Sequence, residues 1–550
     1  MEQKKKKTND ILKQGTILAA ASILVRMIGL LYRIPVNNLL GETGNGIYST
    51  AYQVYSTALI VSSYGLPLAV SKMVAAKNVK KEYRNAQKIF HHALIFTVLV
   101  GGLVASIVFF GAEFFADVMK LSAIVMPLRV LAPTIFICAV LGVFRGFFQG
   151  QNTMVPTAVS QVFEQILNAI VSVLAAYQLM RIFSDSANKY AYGAAGSSMG
   201  TLVGALTGLA VMVFVYMLNR KTFHKRIEKD QGSEDSVKDI YKVLLMTVIP
   251  VILSQTVYNI NSIIDNGMFS NIMSGKGIAE KLRSDLIGVY SGQYVLLLSV
   301  PLGIATAMGT SIIPSVVASF SKGAMDEVKY KVKTVVKFNM MLAFPCAVGL
   351  AVLGGPICQM LFPRLSSYRE LAANMLLFGS IALIFYALST VTSGVLQAID
   401  RMRLPVIHSS VSLGIHVVLV YVLLKFTNLG IYSLIIGYIT FPLVVCILNW
   451  RAVSKALGYA QEVKTTFVLP GVASLVMGAA CLGVYKVLSC LLSGVGSYIG
   501  NAVATMIAII IGVVIYFVAA LLLKTVSEEE LSEMPMGRTM CSVAKKIHLM

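Results

Sequence analysis

Two arginines lie inside the first long apolar segment of the chain, where a charged side chain needs a partner. Arg26 and Arg33 are seven residues apart, so a helix places both on one face. A charged residue at mid-bilayer costs about 2.5–3.5 kcal/mol on the insertion scale, and it therefore faces a cavity or another polar group. Because Arg33 lies nearer the end of the segment, its guanidinium could instead reach the headgroups, and a structural role stays open for both.

A stripe of polar side chains follows in the fifth apolar segment. The spacing i, i+3, i+4 and i+7 places four residues on one helical face: Gln161, Glu164, Gln165 and Asn168. The seventh segment carries a second set: Gln255, Asn259, Asn261 and Asp265. We predict a central polar cavity that binds its substrate through charge pairing and hydrogen bonds, lined by Arg26, Arg33, Gln161, Glu164, Asn168, Asn259 and Asp265. Glu164 either neutralises a cavity arginine or pairs with an arginine to hold helices together.

Four further residues are secondary candidates because they lie in polar motifs at the ends of apolar segments. Tyr52 and Gln53 follow the sequence Gly46-Ile-Tyr-Ser at the start of the second segment. Arg145 and Gln149 belong to the sequence Arg-Gly-Phe-Phe-Gln at the end of the fourth. Arg145 is predicted to lie at the membrane interface, where an arginine needs no special role.

The elements that carry these residues are apolar blocks of about 20 residues, each long enough to cross a bilayer as a helix. Of the 550 residues, 57% are hydrophobic and 13% are charged, whereas a soluble domain has roughly 25% charged residues. The blocks recur along the whole chain. We therefore predict an all-α polytopic membrane protein with about fourteen transmembrane helices.

The positive charge of the chain is unevenly distributed between successive loops. Basic residues gather in alternate loops: Lys4–Lys7, then residues 72–88, 220–229, 322–337, 401–403 and 451–464. The positive-inside rule places these loops and both termini in the cytoplasm, and an even number of crossings agrees. The net charge of +21 therefore indicates orientation in a membrane rather than binding to nucleic acid.

Several classes of function are excluded by missing motifs. The seven cysteines are scattered without a Cys-x-x-Cys pair, so neither a structural metal nor a disulfide framework is expected. No phosphate-binding loop occurs, and no loop is long enough for a catalytic domain. We predict a transporter rather than an enzyme, with no cofactor and with Na⁺, H⁺ or the membrane potential as its energy source.

Two sequence motifs that each occur twice indicate an internal repeat. The motif Gly-[Ile/Val]-Tyr-Ser-x-x-Tyr begins at Gly46 and again at Gly288, and a Gly-x-x-Gln motif begins at Gly146 and again at Gly394. Parallel repeats with a substrate site between two lobes are a transporter architecture. The alternative is convergence of similar helix ends. We predict five regions: an N-terminal lobe (1–220), a cytoplasmic linker (221–240), a C-terminal lobe (241–460), helices 13 and 14 (461–525) and a cytoplasmic tail (526–550).

Together these features resemble a known family. The Arg26-x-x-Gly29 motif, the Gly-x-Tyr-Ser start, Leu128-Arg129-Val-Leu-Ala-Pro and Arg145-Gly-Phe-Phe-Gln-Gly are similar to the polysaccharide-exporter branch of the MOP superfamily. Within that branch, the chain resembles the stage V sporulation protein B group and the MurJ-type lipid II flippases. The likeness covers nearly the whole chain. It implies two six-helix lobes in a parallel pseudo-twofold repeat, forming an inverted V, plus a C-terminal helix pair.

The resemblance also implies a function and roles for some residues. The expected activity is alternating-access export of a lipid-linked saccharide diphosphate across the bacterial plasma membrane, with membrane lipids as the surroundings. Arg26 matches a family arginine that engages the diphosphate, and Arg33 lies one residue beyond the second such arginine. The planar guanidinium fork pairs well with phosphate oxygens.

Two other functions stay open at this point. A multidrug or cation antiporter of the same superfamily would make Glu164 and Asp265 ion sites and Arg26 structural. A membrane-embedded glycosyltransferase would act on the same lipids.

Overall fold

The computed structural model describes residues 2–228, 230, 232, 234–311 and 313–526. Apart from its first residue, the predicted tail (526–550) lies outside this part of the chain. The described residues form helices joined by short connections. The α-helices are α1 Glu2–Ser63, α2 Leu66–Val79, α3 Tyr83–Phe110, α4 Ala112–Met119, α5 Val125–Gly150, α6 Val155–Ile182, α7 Lys189–Glu228, α8 Val237–Gly275, α9 Glu280–Val289, α10 Leu296–Ser311, α11 Ile313–Ser321, α12 Met325–Leu361, α13 Arg369–Gly379, α14 Ala382–Ala398, α15 Arg403–Phe426, α16 Tyr432–Leu457, α17 Leu469–Leu491 and α18 Ser497–Leu522.

The described helices confirm the predicted class of an all-α multi-pass membrane protein. Twelve helical stretches are long and apolar enough to span a membrane, or thirteen if α13 and α14, bent by 46° at their junction, form one span. One stretch, Ala21–Val79, has 59 residues, whereas a single crossing needs about 20. The count of fourteen stays a prediction, because it requires this stretch to cross twice.

The long helix α1 is interrupted at Gly41. Its backbone angles there are φ 67° and ψ −175°, a conformation that is strained for residues with a side chain. Beyond the break, the side chain of Asn45 donates a 3.1 Å hydrogen bond to the carbonyl of Asn37. Both asparagines are buried, so this bond satisfies polar groups that the interruption exposes. The break separates the predicted first and second spans.

The chain divides into two compact units, residues 1–288 and 289–550. In the first unit, α1 packs against α5, α6, α7 and α8 around a core that includes Leu40, Tyr55 and Leu128. In the second unit, α12 packs against α10, α14, α17 and α18, with Met340 and Val391 in its core. The finer domain boundaries expected from the sequence stay predictions.

A short acidic segment, here called the acidic strap, connects α7 to α8 and is formed by Asp230, Glu234 and Asp235. It lies against the basic corner between α2 and α3. Lys77 Nζ is 2.5 Å from the Asp235 carboxylate, and Lys88 Nζ is 3.0 Å from that of Glu234. Opposite charges therefore hold the start of α8 on this corner.

Asp230 anchors the strap through backbone donors, which predicts a dependence on pH. The N–H groups of Arg84 and Gly232 donate to its carboxylate at 2.7 and 2.8 Å, and they hold the pKa of that carboxyl below its ordinary value. The stabilisation is therefore present above the ordinary pKa of about 3.9 and disappears as pH falls through the lower folded value. We expect Asp230→Asn to increase tryptic cleavage between Arg220 and Lys242 severalfold at pH 8. Unchanged cleavage would contradict this role.

Candidate functional site

Arg33 lies in a group of tyrosines on the two segments of α1. Its guanidinium carbon is 5.9 Å from the ring centroid of Tyr52, and Tyr32 and Tyr48 are adjacent. The Arg33 side chain is half-buried and forms no ion pair with a carboxylate in the described part of the chain. Contact with an aromatic face contributes about 0.5–2 kcal/mol without neutralising the charge. The tyrosines therefore hold the Arg33 guanidinium in place without neutralising its charge, which can still pair with an anion.

Beyond the break at Gly41, the tyrosines of this group lie on one helical face. The ring centroids of Tyr48 and Tyr52 are 5.8 Å apart, and those of Tyr52 and Tyr55 are 5.4 Å apart. Of this group, only Tyr52 was predicted from the sequence. The spacing i, i+4, i+7 of Tyr48, Tyr52 and Tyr55 in an apolar segment places the three side by side on a helix, and this spacing also indicates the other two.

Glu164 on α6 pairs with Arg145 on α5. The distance from Arg145 Nη2 to Glu164 Oε2 is 2.6 Å, and the same guanidinium donates to Ser160 Oγ at 3.0 and 2.9 Å. A Cβ added to Gly208 on α7 would lie 3.1 Å from Glu164 Oε2, so three helices enclose the pair. Arg145, expected at the interface without a special role, is the arginine that neutralises Glu164 here.

This pair predicts a measurable difference in stability. We expect Glu164→Gln to destabilise the first unit by about 1–3 kcal/mol, because it leaves the largely buried Arg145 guanidinium without its counter-ion. Glu113→Gln is the matched control, since its pair with Arg129 has a similar length of 2.8 Å but is exposed, which makes it worth about 0–1 kcal/mol. Thermal unfolding in detergent measures both variants. Equal melting temperatures for the two would contradict the expectation.

Gln53 on α1 contacts α8, but its partner there is Asn266, the neighbour of the predicted residue Asp265. Asn266 donates to Gln53 Oε1 at 2.7 Å, and Asp265 beside it is buried. Asn259, two turns earlier, is exposed and donates to the carbonyl of Gln255 at 2.8 Å. Only the C-terminal part of the predicted polar set on α8 therefore lies in the protein interior.

The remaining members of the α6 stripe have separate surroundings. Gln161 Oε1 is buried without a hydrogen-bond partner in the described part of the chain, so it has spare acceptor capacity. Asn168 accepts a hydrogen bond from Ser172 at 3.0 Å. Gln165 approaches α1 closely, since a Cβ on Gly29 would lie 3.1 Å from its Nε2.

Two predicted residues stand apart from these contacts. Arg26 is exposed and lies two helical turns before Arg33, about 10 Å along the axis. Gln149 is half-buried near the end of α5.

The first glycines of the two motif copies, Gly46 and Gly288, lie at a close helix contact within the first unit. A Cβ on Gly46 would lie 1.9 Å from the carbonyl oxygen of Ser284, and one on Gly288 would lie 1.9 Å from that of Glu42. Thr43 donates to Asp285, 242 residues later, at 2.5 Å. Each glycine thus meets the residue four positions before the other, so α1 and α9 contact backbone to backbone in a reciprocal arrangement.

Comparison with known proteins gives consistent similarities along the chain. A family model described as "Polysaccharide biosynthesis protein" matches residues 11–320, more than half of the chain, and one described as "MatE" matches residues 287–422. The lipid II flippase MurJ of Bacillus subtilis (strain 168) is 27% identical over 524 residues, covering 92% of this chain and 94% of that protein. Stage V sporulation protein B of the same organism is 24% identical, covering 82% and 85%.

Solved structures show the same fold. A structure of the lipid II flippase MurJ in an inward closed conformation matches with a TM-score of 0.62 and 15% identity, covering 92% of this chain and 99% of that one. An inward-facing multidrug resistance MATE family transporter of the MOP superfamily matches with a TM-score of 0.65 and 17% identity, covering 78% and 95%. At these identities the likeness concerns the fold alone.

Proposed function

The chain belongs to the polysaccharide biosynthesis protein family of the MOP superfamily, and we propose that it is a flippase for a lipid-linked saccharide diphosphate. Its relatives are membrane transporters rather than enzymes. The proposed substrate is the peptidoglycan precursor lipid II, an undecaprenyl-diphosphate saccharide. The proposed movement is from the inner to the outer leaflet of the bacterial plasma membrane, by alternating access, with both termini in the cytoplasm.

The observation that carries this proposal is the state of Arg33. It is a half-buried cation, supported by the ring of Tyr52 at 5.9 Å, and none of the described carboxylates forms an ion pair with it. A diphosphate supplies the missing negative charge, and its oxygens match the guanidinium fork. Arg26, about two turns away, extends the cationic stripe along the same helix. The tyrosine hydroxyls add hydrogen-bonding groups for the headgroup.

A second candidate, a multidrug or cation antiporter, is favoured by the MatE match over residues 287–422. In that function Glu164 and Asp265 would bind the ion or drug. The 2.6 Å contact with Arg145 already neutralises Glu164, and a cationic drug would be repelled by Arg33. The flippase is therefore our proposal, with Na⁺, H⁺ or the membrane potential supplying the energy.

Complementation tests the proposed function directly. Expression of this chain in bacteria depleted of their own lipid II flippase is expected to restore growth, whereas Arg26→Ala is expected to fail although it inserts normally. Arg26 is exposed and forms no ion pair among the described residues, so its loss tests substrate binding. Rescue by Arg26→Ala would contradict its proposed role. If the unmodified protein reaches the membrane but does not restore growth, its substrate would instead be another lipid-linked glycan, and drug export would be the next assay.

A further inference from the structure

A cavity lies in the first unit, at the basic corner where α3 begins and α5 ends. It is partly open to solvent, and its volume of about 240 Å³ includes that open space. Its floor is apolar, from Phe147 and Phe223, and its rim carries Tyr83, Gln151 and Arg226. Because the helices that form it end here, the cavity lies where the apolar spans give way to basic loops.

The wall of this cavity is held in place by an extension of α7. That helix has 40 residues and is therefore about 60 Å long, whereas the hydrocarbon core of a bilayer is about 30 Å thick. Phe223 on the extension packs against Phe147 and Phe148 of α5, with ring centroids 5.5 and 6.2 Å apart. This packing fixes the final turns of α7, which carry Arg226, beside the end of α5.

Arg226 has guanidinium N–H groups at the cavity that can donate hydrogen bonds to a ligand. Its guanidinium carbon is 5.9 Å from the ring centroid of Tyr83, and one of its nitrogens is 3.5 Å from Gln151 Oε1. It forms no salt bridge with a carboxylate in the part of the chain that the structure describes. The remaining guanidinium donors and the Gln151 amide nitrogen suit a phosphate oxygen.

The surrounding charges leave a positive field at this corner. The acidic strap pairs with Lys77, Arg84 and Lys88. By contrast, Lys80 and Lys81 are exposed and, like Arg226, form no ion pair among the described residues. Each such cation near a membrane surface contributes about 1 kcal/mol of attraction to anionic lipid.

We propose that this cavity binds the phosphate headgroup of an anionic membrane lipid. The apolar floor takes the glycerol and first acyl carbons, Arg226 binds the phosphate, and the Gln151 side chain orients it. This site is separate from the Arg33 site and does not require the proposed transport activity. It attaches the extension of α7, and with it the acidic strap, to the membrane surface.

The test measures binding of a fluorescent phosphatidylglycerol to the full chain in detergent. We expect Arg226→Gln to weaken binding about tenfold, the loss of a charge-assisted contact. Arg220→Gln is the matched control, because it removes the same charge from an exposed position of the same helix without altering the cavity. Gln151→Glu is a second variant that places an internal anion beside Arg226, and it is expected to weaken binding while the protein stays folded.

Several results would overturn the proposal. Equal losses for Arg226→Gln and Arg220→Gln would mean that bulk charge attracts the lipid, without a defined site. Full binding of the lipid by either Arg226→Gln or Gln151→Glu would exclude the cavity as the binding site. Equal binding of phosphatidylcholine would exclude charge recognition, and complete competition by millimolar inorganic phosphate would indicate a free anion rather than a lipid. None of these outcomes bears on the growth-rescue experiment, which tests the proposed transport function separately.

Discussion

Replacement of Gly46 by alanine is expected to abolish growth rescue by this protein. The new methyl carbon would lie 1.9 Å from the backbone oxygen of Ser284, and backbone cannot move aside as a flexible side chain can. Van der Waals contact between carbon and oxygen requires well over 3 Å, so α1 and α9 would separate by more than 1 Å. The hydrogen bond from Thr43 to Asp285 would be lost with the contact. Gly288→Ala has the reciprocal effect, since its methyl carbon would meet Glu42.

Disulfide crosslinking measures this contact independently of growth. In a background without native cysteines, the pair Thr43→Cys and Asp285→Cys is expected to crosslink efficiently, and added Gly46→Ala is expected to suppress crosslinking about tenfold. Gly414→Ala is the control, because a Cβ at that helical position meets no other atom within 4 Å. Normal crosslinking and rescue by Gly46→Ala would show that the close contact is dispensable.

Replacement of Arg33 by glutamine is expected to reduce lipid-diphosphate translocation by at least about a hundredfold. The substitution removes the half-buried charge that the proposed substrate neutralises, and charge-assisted contacts to a diphosphate are each worth about 1.5–3 kcal/mol. Arg33→Lys keeps the charge but loses the planar fork and the stacking on Tyr52, so we expect an intermediate loss of about tenfold. Translocation of a labelled lipid diphosphate in proteoliposomes is the measurement.

Two controls separate this effect from a general loss of structure. Arg181→Gln removes an exposed arginine at the end of α6 and is expected to retain full activity. The melting temperature of Arg33→Gln is expected to fall by at most about 4 °C, because Arg33 has no ion pair among the described residues and the substitution removes only its contact with the Tyr52 ring. Full translocation by Arg33→Gln would overturn the proposed substrate site. Loss of translocation with a much larger fall in melting temperature would assign a structural role to Arg33.

Much of the fold was predictable because it depends on local pattern. The length of each apolar run specifies a membrane helix, and the spacing from Gln161 to Asn168 specifies one polar face whatever the partner helix is. The repeat that begins at Gly46 and Gly288 was visible as sequence. The helical membrane class and the superfamily were both confirmed, whereas the exact number of crossings and the arrangement of the repeats stay predictions.

The partners of the candidate site could not be predicted, because they depend on contacts between distant positions. The polar stripe shows that Glu164 needs a positive charge, but the sequence alone does not say which of the five arginines in the first 145 residues supplies it. The structure selects Arg145, since α5 and α6 place it 2.6 Å away. Asn266 rather than Asp265 contacts Gln53 for a similar reason, because helix rotation decides which neighbour faces α1.

The amino-acid sequence by itself determined that this is a helical membrane transporter with cations in its first helix and a repeated glycine motif. Hydrophobic run length and helical period are properties of consecutive residues, so they need no knowledge of packing. Only the tertiary structure decided that Arg33 is supported by tyrosines, that Glu164 is neutralised by Arg145, and that Gly46 and Gly288 lie where α1 and α9 meet. Each of these depends on the rotation and approach of separate helices, which side-chain packing across the whole unit specifies.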